Sequence, residues 1–334
     1  MPSIGLDFYG VRVKVNGPAA ALGSLSLDFS YFSSGGAAGG GIDIMLSEDE
    51  PPYGMVPAVK AALSRRDSIS YDSGDSRYVD YNGKALGIYD YVNEKGRLFS
   101  KDPNLLHEIS YLMILSRVGE MLDKKGLHRV HSCAFSLDGM GALFLMPQGG
   151  GKTTLYLEAA KREGVQLLGD DIPLLSKDMR IFPFPLRVGV ADGTKLDIPA
   201  GYLGSIKRRR YGKKILIDTK YFAEKLSSAV ELRYIFKGVR ESSNNPRIVK
   251  SGRFTVFLAL LRDCVAGFGL PQMLEYFIRF DIKDLAAKAA IGLSRTVVCL
   301  KAVFKAKTYI FIIGKDTVKN ADVLAEFLKV NRSV

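Results

Sequence analysis

The sequence contains no tryptophan, three histidines and three cysteines. Because Cys133, Cys264 and Cys299 are widely spaced, they indicate neither a disulfide framework nor a zinc cluster, and a reducing, cytoplasmic location fits this pattern best. The N-terminus lacks a basic segment leading into an apolar run, so no signal peptide is expected. The stretch "FTVFLALLRDCVAGFGLPQML" is interrupted by charges and a proline. A transmembrane helix needs about 20 apolar residues, so no membrane span is predicted.

The chain has 334 residues, of which 47% are hydrophobic, and its formal net charge is +12. This length and composition predict a folded protein of two domains, or of one domain with large additions. A positive surface attracts nucleotides, nucleic acid, anionic lipid or acidic proteins, and charge alone does not choose among them.

The first part of the chain has the composition of strands and loops. "DFYGVRVKV" and "SLSLDFSYF" alternate apolar and polar residues, which predicts half-buried strands. The pair Asn82-Gly83 separates two aromatic-rich segments and predicts a β-hairpin. The glycine-rich segment 33–41 is typical of a flexible loop. We therefore expect a smaller, β-rich N-terminal domain over residues 1–102.

Residues 103–334 are expected to form a second, α/β domain. Asn104 is predicted to cap a helix that Gly126 closes. Strands and helices alternate after residue 128, which favours an α/β core. The strand that contains "VQLL" is expected to lie beside the strand that contains "ALFLM".

A glycine-rich segment, "MPQGGGKTT", lies between that second strand and a run of helix-forming residues. Glycine lets the backbone approach a ligand closely, and the first turn of a helix offers unpaired N–H groups to an anion. The pattern resembles the phosphate-binding P-loop, G-x-x-x-x-G-K-[ST], with Met146 at the first glycine and Pro147 after it. The predicted nucleotide-binding residues are Gly149, Gly150, Gly151, Lys152, Thr153 and Thr154. The alternative is a glycine-rich turn with a chance lysine.

Two acidic residues follow the next predicted strand. One carboxylate of Asp170-Asp171 could hold Mg²⁺, and the other could accept the proton of an attacking hydroxyl. The alternative for such a pair is a helix cap or a turn. His131 begins the strand predicted to pair with the one that enters the glycine-rich segment, so it could face the phosphates, although a lone histidine is more often structural.

Together these segments resemble the catalytic domain of the HPr kinase/phosphorylase family. The resemblance extends over residues 105–235 and includes "HSCAF", the glycine-rich segment, "LLGDD" and "PFP". It implies a P-loop core that uses ATP and Mg²⁺, with His131, Lys152 and Asp170 as catalytic residues. Asp170 would be the acid/base group, while Thr153 and Asp171 would hold the metal. Pro185 stands where the family has a metal-binding glutamate.

The predicted function is ATP-dependent transfer of the γ-phosphoryl group to a hydroxyl, such as a serine of an acidic protein or peptide. The alternative is a nucleotide-binding regulator or scaffold without transferase activity. The basic run "KRRRYGKK" (207–214) is interpreted as a solvated loop, with a patch for an acidic partner as the alternative. It lacks a base-stacking platform, so nucleic acid is not the expected partner. HPr kinases form hexamers, so the resemblance also leaves a homo-oligomer open.

Overall fold

The computed structural model describes residues 1–35, 41–208, 212–270 and 273–331. The chain forms two compact units, and each is assembled from three separate segments. The first unit comprises Met1–Leu122, Val190–Asp218 and Pro271–Lys288, and the second comprises Asp123–Gly189, Thr219–Leu270 and Ala289–Val334. The boundary near residue 102 stays a prediction. The structure adds that segments from late in the chain belong to the same compact unit as the N-terminus.

The first unit contains one eight-stranded sheet, in the order β1-β2-β3-β8-β7-β6-β5-β4. The strands are β1 (Ser3–Phe8), β2 (Val11–Asn16), β3 (Ile42–Ser47), β4 (Ala61–Arg65), β5 (Ser68–Ser73), β6 (Ser76–Asp80), β7 (Leu86–Asp90) and β8 (Lys95–Phe99). The predicted hairpin is confirmed, because β6 and β7 pair antiparallel and both Asn82 and Gly83 have positive φ. The predicted strand in "DFYGVRVKV" is two strands, with the turn at Tyr9-Gly10.

The segment "SLSLDFSYF", predicted as a strand, is helical. Helix α1 (Ala19–Asp28) contains its first half, and a 3₁₀ turn (Ser30–Phe32) follows. The buried residues Leu22, Leu25 and Phe29 recur at helical spacing, and the alternating serines and leucines obscured this longer period. Residues 36–40, which carry most of the predicted glycine-rich loop, lie outside the described residues.

Helix α2 (Pro103–Lys124) follows the sheet as predicted, and Gly126 after it has a φ of 76°. The cap differs from the prediction. The Asp102 carboxylate accepts hydrogen bonds from the backbone N–H groups of Asn104 and Leu105. Asp102 is therefore the capping side chain, because it occupies the position before the proline that opens the helix.

The rest of the chain alternates between strands and helices. Its strands are β9 (Leu127–Arg129), β10 (Ser132–Leu137), β11 (Met140–Leu145), β12 (Val165–Gly169), β13 (Leu174–Ser176), β14 (Arg180–Phe182), β15 (Val188–Ala191), β16 (Leu203–Arg208), β17 (Gly212–Ile217), β18 (Val230–Arg240), β19 (Arg247–Lys250) and β20 (Lys307–Ile313). Its helices are α3 (Lys152–Ala160), α4 (Arg253–Leu260), α5 (Leu274–Phe277), α6 (Ile282–Lys305) and α7 (Thr317–Val330), with a π-helical turn at Leu261–Val265.

The second unit contains a mixed nine-stranded sheet, which confirms the α/β class. Strands β12-β10-β11-β18-β14-β13-β9 are neighbours in this order, and β20 pairs with β18 and β19. Strand β18 is parallel to both β11 and β20, whereas β10 is antiparallel to β11 and β12. The expectation that the "VQLL" strand lies beside the "ALFLM" strand is wrong, because β10 lies between them.

Alternate residues of the central strands serve the two faces of this sheet. Leu143 and Ile235 share a core cluster with residues of α4 and α6. Phe144 and Phe236 stack at 4.5 Å between ring centroids on the other face, where Phe327 of α7 meets Phe236 at 5.5 Å. The sheet therefore has helices on both faces, and its near-continuous apolar strands follow from burial on both sides.

The basic run 207–214 belongs to two strands rather than to a loop alone. Strands β16 and β17 pair antiparallel on either side of residues 209–211, and β17 also pairs with β15. Residues 209–211 lie outside the described residues, so the interpretation as a patch for an acidic partner stays a prediction. None of the helices within the described ranges is long and apolar enough to cross a membrane.

Candidate functional site

The loop between β11 and α3 depends on glycine at two positions. Gly149 has a φ of 75° and Gly151 has a φ of 103°, a region of backbone conformation that favours glycine. A β-carbon at either position would meet no atom within 4 Å, so the space beside both residues is open. Because Gly151 is the N-cap of α3, the unpaired N–H groups of the first helical turn adjoin this space. The loop therefore has the backbone geometry of an anion-binding site.

Met146 packs against Gly150 of that loop, where a β-carbon would lie 3.1 Å from its Cε and 3.2 Å from its Cβ. Its side chain is buried and runs toward Gly238 on the neighbouring strand β18. A β-carbon on Gly238 would lie 2.4 Å from Cγ of Met146, so a side chain at position 238 would compete for the same space. Gly238 thus accommodates the methionine that replaces the first glycine of the P-loop pattern.

Lys152, the first residue of α3, is buried beneath the loop. Its Nζ donates hydrogen bonds to the carbonyl oxygens of Met146 at 2.9 Å and Pro147 at 3.3 Å. The same Nζ lies 3.0 Å from Nε2 of His131. Two residues predicted to act together, His131 and Lys152, are therefore in direct contact.

Thr153 and Asp170 are also brought together. The hydroxyl of Thr153 donates to Oδ2 of Asp170 at 2.7 Å. The Asp170 carboxylate reaches this position from the end of β12, although β10 separates that strand from β11. Thr154 is exposed on the first turn of α3. Asp171 is exposed and has a φ of 78°, and its carbonyl accepts a hydrogen bond from the Ser132 N–H.

The side chain of His131 is buried. Burial, and then the positive charge of Lys152, lower the pKa of the His131 imidazole from its ordinary value, while Asp171 and Asp263 act in the opposite direction. A neutral ring can accept at Nε2 the hydrogen bond that Lys152 donates. The lowered pKa therefore favours the uncharged imidazole at the position that Lys152 contacts.

This lowered pKa predicts a loss of stability in mild acid. The unfolded chain binds a proton at His131 near the ordinary histidine pKa of about 6.5, whereas the folded protein binds it only at lower pH. The free energy of unfolding should thus decrease as the pH falls below about 6.5. Urea unfolding at pH 7.5 and pH 5.5 measures this decrease. His131→Gln should show a smaller decrease than the parent, and equal decreases in both proteins would contradict the prediction.

Three residues around this site were missed by the sequence analysis. Gly238 accommodates Met146, and the carbonyl of Asp263 accepts a hydrogen bond from the His131 N–H at 2.9 Å. Gly269, with a φ of 88°, covers one edge of the imidazole, because a β-carbon there would lie 2.4 Å from Nε2 of His131. The repeated glycine in "GFG" is the sequence signal that could have indicated Gly269. The contacts of Gly238 and Asp263 join distant segments and have no such signal.

The segment that carries Pro185 lies along β12. The N–H of Phe184 donates to the carbonyl of Leu168 at 2.8 Å, just before the Asp170-Asp171 pair. Pro185, where the resemblance in the sequence would place a metal-binding glutamate, therefore follows a residue fixed beside β12. Proline offers no carboxylate, so a second metal-binding side chain is not supplied from that position.

The residues present fit a nucleotide with Mg²⁺. Among the described residues, no group of three or more histidine, cysteine, aspartate or glutamate side chains could hold a metal ion. Mg²⁺ in nucleotide sites needs fewer protein ligands, because phosphate oxygens and water complete its octahedral shell. The hydroxyl of Thr153 and the carboxylate of Asp170, which are hydrogen-bonded at 2.7 Å, are two hard oxygen donors that would hold such an ion.

No protein-family model matches the chain, and no curated protein matches it. A solved structure of the Hpr(Ser) kinase/phosphatase from Coxiella burnetii is similar to it with 16% sequence identity and a TM-score of 0.28. That match covers 61% of this chain and 94% of the other. At these values the likeness is distant and carries no conclusion about activity, so function has to be inferred from the site itself.

Proposed function

We propose that this protein is an ATP-dependent phosphotransferase with a P-loop site, and that its acceptor is a hydroxyl such as a serine of a protein or peptide. The observation that carries the proposal is the joint placement of Lys152 beneath the glycine loop and of Thr153 against Asp170. A glycine-rich turn with a chance lysine would not require a buried ammonium at the start of the helix together with a carboxylate from another strand.

Each part of the site has a role in this proposal. The backbone N–H groups of Gly149 and Gly151 and the ammonium of Lys152 would bind phosphate oxygens. The N–H of Gly150 donates to the Pro147 carbonyl at 3.0 Å and shapes the loop. ATP with Mg²⁺ supplies the γ-phosphoryl group and the neutralising charge. His131 holds Lys152 at the base of the loop through Nε2. These contacts orient groups that stabilise charge, which is the main requirement of phosphoryl transfer.

The two aspartates can be assigned in either order. The resemblance implies that Asp170 handles the acceptor proton and that Asp171 assists the metal. The hydrogen bond from Thr153 favours the reverse order, because it places the Asp170 carboxylate beside the hydroxyl proposed to bind Mg²⁺. The exposed Asp171 is then available to accept a proton from an incoming hydroxyl.

Three variants distinguish these assignments. If Asp170 binds the metal, Asp170→Asn and Thr153→Val should each raise the Mg²⁺ concentration needed for half-maximal activity roughly tenfold, about 1.4 kcal/mol. Asp171→Asn should lower kcat with little change in that concentration. Titration of activity with Mg²⁺ measures both quantities. The opposite pattern would support the order implied by the resemblance. Thr317→Val, at the start of α7, is a matched control.

The proposal is tested by incubation with ATP labelled on the γ-phosphate. Transfer of label to serine-containing peptides, or to water in their absence, is the expected result. It should decrease in Asp170→Asn at limiting Mg²⁺ and in Asp171→Asn at any Mg²⁺ concentration. Calorimetry with ATP and Mg²⁺ separates the alternatives. Binding without transfer or hydrolysis would favour a nucleotide-binding regulator, and absence of binding would refute both functions.

A further inference from the structure

The second unit carries an apolar surface that the proposed phosphotransferase site does not use. Three large side chains on it are more than 60% exposed, namely Phe254 at 72%, Leu293 at 66% and Phe304 at 62%. Three further exposed side chains complete what we term the α4–α6 face: Leu258, Val297 and Leu300. The two phenylalanine rings alone leave on the order of 200 Å² accessible. With four aliphatic side chains, the face reaches the size at which exposed apolar patches on soluble proteins are usually interaction sites.

The apolar residues form two rows. Leu293, Val297, Leu300 and Phe304 are spaced by four, three and four residues, so they lie along one side of α6. Phe254 and Leu258 lie four residues apart on α4. The opposite sides of both helices are already buried, because Val256, Leu260, Val298 and Val303 belong to the core cluster of the sheet. The outward rows are therefore additional to what the fold requires.

The two helices are adjacent and antiparallel. The Arg253 guanidinium lies 5.2 Å from the centroid of the Phe304 ring, at one end of the pair. At the end of α4, Sγ of Cys299, five residues before Phe304, lies 3.9 Å from the carbonyl oxygen of Leu260. Neighbouring packed helices lie about 8–10 Å apart, so the α4 row and the part of the α6 row from Val297 to Phe304 border a shallow groove, which Leu293 extends beyond the end of α4. The α6 row extends over roughly 17 Å at 1.5 Å per residue, which is three helical turns.

The charged residues that α4 and the row-bearing part of α6 themselves contribute beside this groove are all basic. The sequence contains no aspartate or glutamate between residues 250 and 262 or between residues 285 and 305. Arg253 and Lys301 adjoin the rows, while Lys305 at the end of α6 is paired with Glu231 at 3.1 Å. A second copy of the chain would bring the same basic rim against itself, which like charges oppose.

We propose that the α4–α6 face binds an amphipathic helix of a partner protein, with acidic residues flanking its apolar side. A helix that lies in a groove between two other helices can contact both rows with apolar side chains at positions i, i+3, i+4 and i+7. Acidic flanks complement Arg253 and Lys301. A groove between two rows favours a helix over a flat lipid surface. This inference is independent of the nucleotide site.

The test uses two synthetic helical peptides of about 16 residues, matched to the length of the α6 row. Both carry leucines at i, i+4, i+7 and i+11; one has glutamates beside them and the other has lysines. The full-length protein should bind the glutamate peptide at least about tenfold more tightly by fluorescence anisotropy. Leu293→Gln and Phe304→Gln should each weaken that binding about tenfold. Lys301→Glu should reduce the preference for glutamate. Val330→Gln, an exposed apolar position on α7, should change neither quantity.

Three results would overturn the proposal. The first is failure of the glutamate peptide to bind, or equal affinity for both peptides. The second is binding to phosphatidylserine vesicles that Leu293→Gln abolishes while peptide binding is absent, which would identify a membrane surface. The third is a dimer in sedimentation analysis that Phe304→Gln dissociates. Lys152→Ala should bind the peptide like the parent, so failure of this proposal and failure of the proposed function give different results.

Discussion

Replacing Lys152 by alanine is expected to reduce phosphoryl transfer, or ATP hydrolysis to water, by about 100- to 1000-fold, the usual effect of removing one group that stabilises developing charge. The ammonium is buried at the base of the glycine loop, where a low local dielectric strengthens its interaction with phosphate oxygens. The variant should also bind ATP more weakly. Initial rates at saturating and limiting ATP, with calorimetric affinity, measure the two effects.

Lys161→Ala provides a matched control for this prediction. Lys161 follows α3 directly, is largely exposed and pairs with Glu158 at 2.7 Å. Its removal takes the same charge from the opposite end of α3 without touching the loop, and activity should stay within about twofold because exposed ion pairs contribute little. Thermal unfolding of both variants shows whether they are folded. A folded Lys152→Ala protein with parental turnover would remove the basis of the proposed function.

The second large effect is expected at Gly238. Gly238→Ala should lower the free energy of unfolding by about 1–3 kcal/mol, the usual cost of adding a methyl group to a packed interior. The reason is local, because the new β-carbon would lie 2.4 Å from Cγ of Met146. Because Met146 supports the loop from below, the same change should also weaken nucleotide binding. Urea unfolding followed by circular dichroism measures the stability.

A double-mutant cycle tests whether Met146 is the cause. Met146→Ala alone removes buried volume and should destabilise the protein, but it also frees the space that a methyl group at position 238 needs. The double variant should therefore be more stable than the sum of the single effects implies, with a coupling energy of at least about 1 kcal/mol. Gly252→Ala is the control, since a β-carbon there meets no atom within 4 Å. Additive effects would show that the two residues do not compete for space.

Local features of this protein were predictable from the sequence, and distant contacts were not. The glycine loop, the helix after it and the Asn82-Gly83 hairpin depend on backbone preferences that a few residues express. The position of β12 was missed, because nothing in "VQLL" indicates that β10 pairs between it and β11. The hydrogen bond from Thr153 to Asp170 crosses that extra strand. The sequence could predict Thr153 and Asp170 as site residues, but it could not predict that they contact each other.

The same limit applies to the surroundings of His131. The sequence predicted His131 and Lys152 for one site, and the structure adds their direct contact at 3.0 Å. Gly269 and Asp263 pack around His131 because the chain after α4, through the π-helical turn at Leu261–Val265, passes beside it, and the sequence does not show this path. Similarly, the period of α1 was hidden in "SLSLDFSYF" by alternation of serine and leucine, and the buried positions became distinguishable only through their packing.

Because the segments of the two compact units alternate along the chain, neither unit can be produced as one continuous fragment. Six segments alternate along the chain, so the polypeptide passes from one unit to the other five times, at residues 122, 189, 218, 270 and 288. A single proteolytic cut therefore cannot release either unit intact, and a gene fragment ending at residue 102 would omit β16 and β17. Such an arrangement favours cooperative unfolding of the chain as one system, and it makes simple truncation a poor means of isolating the half that carries Lys152.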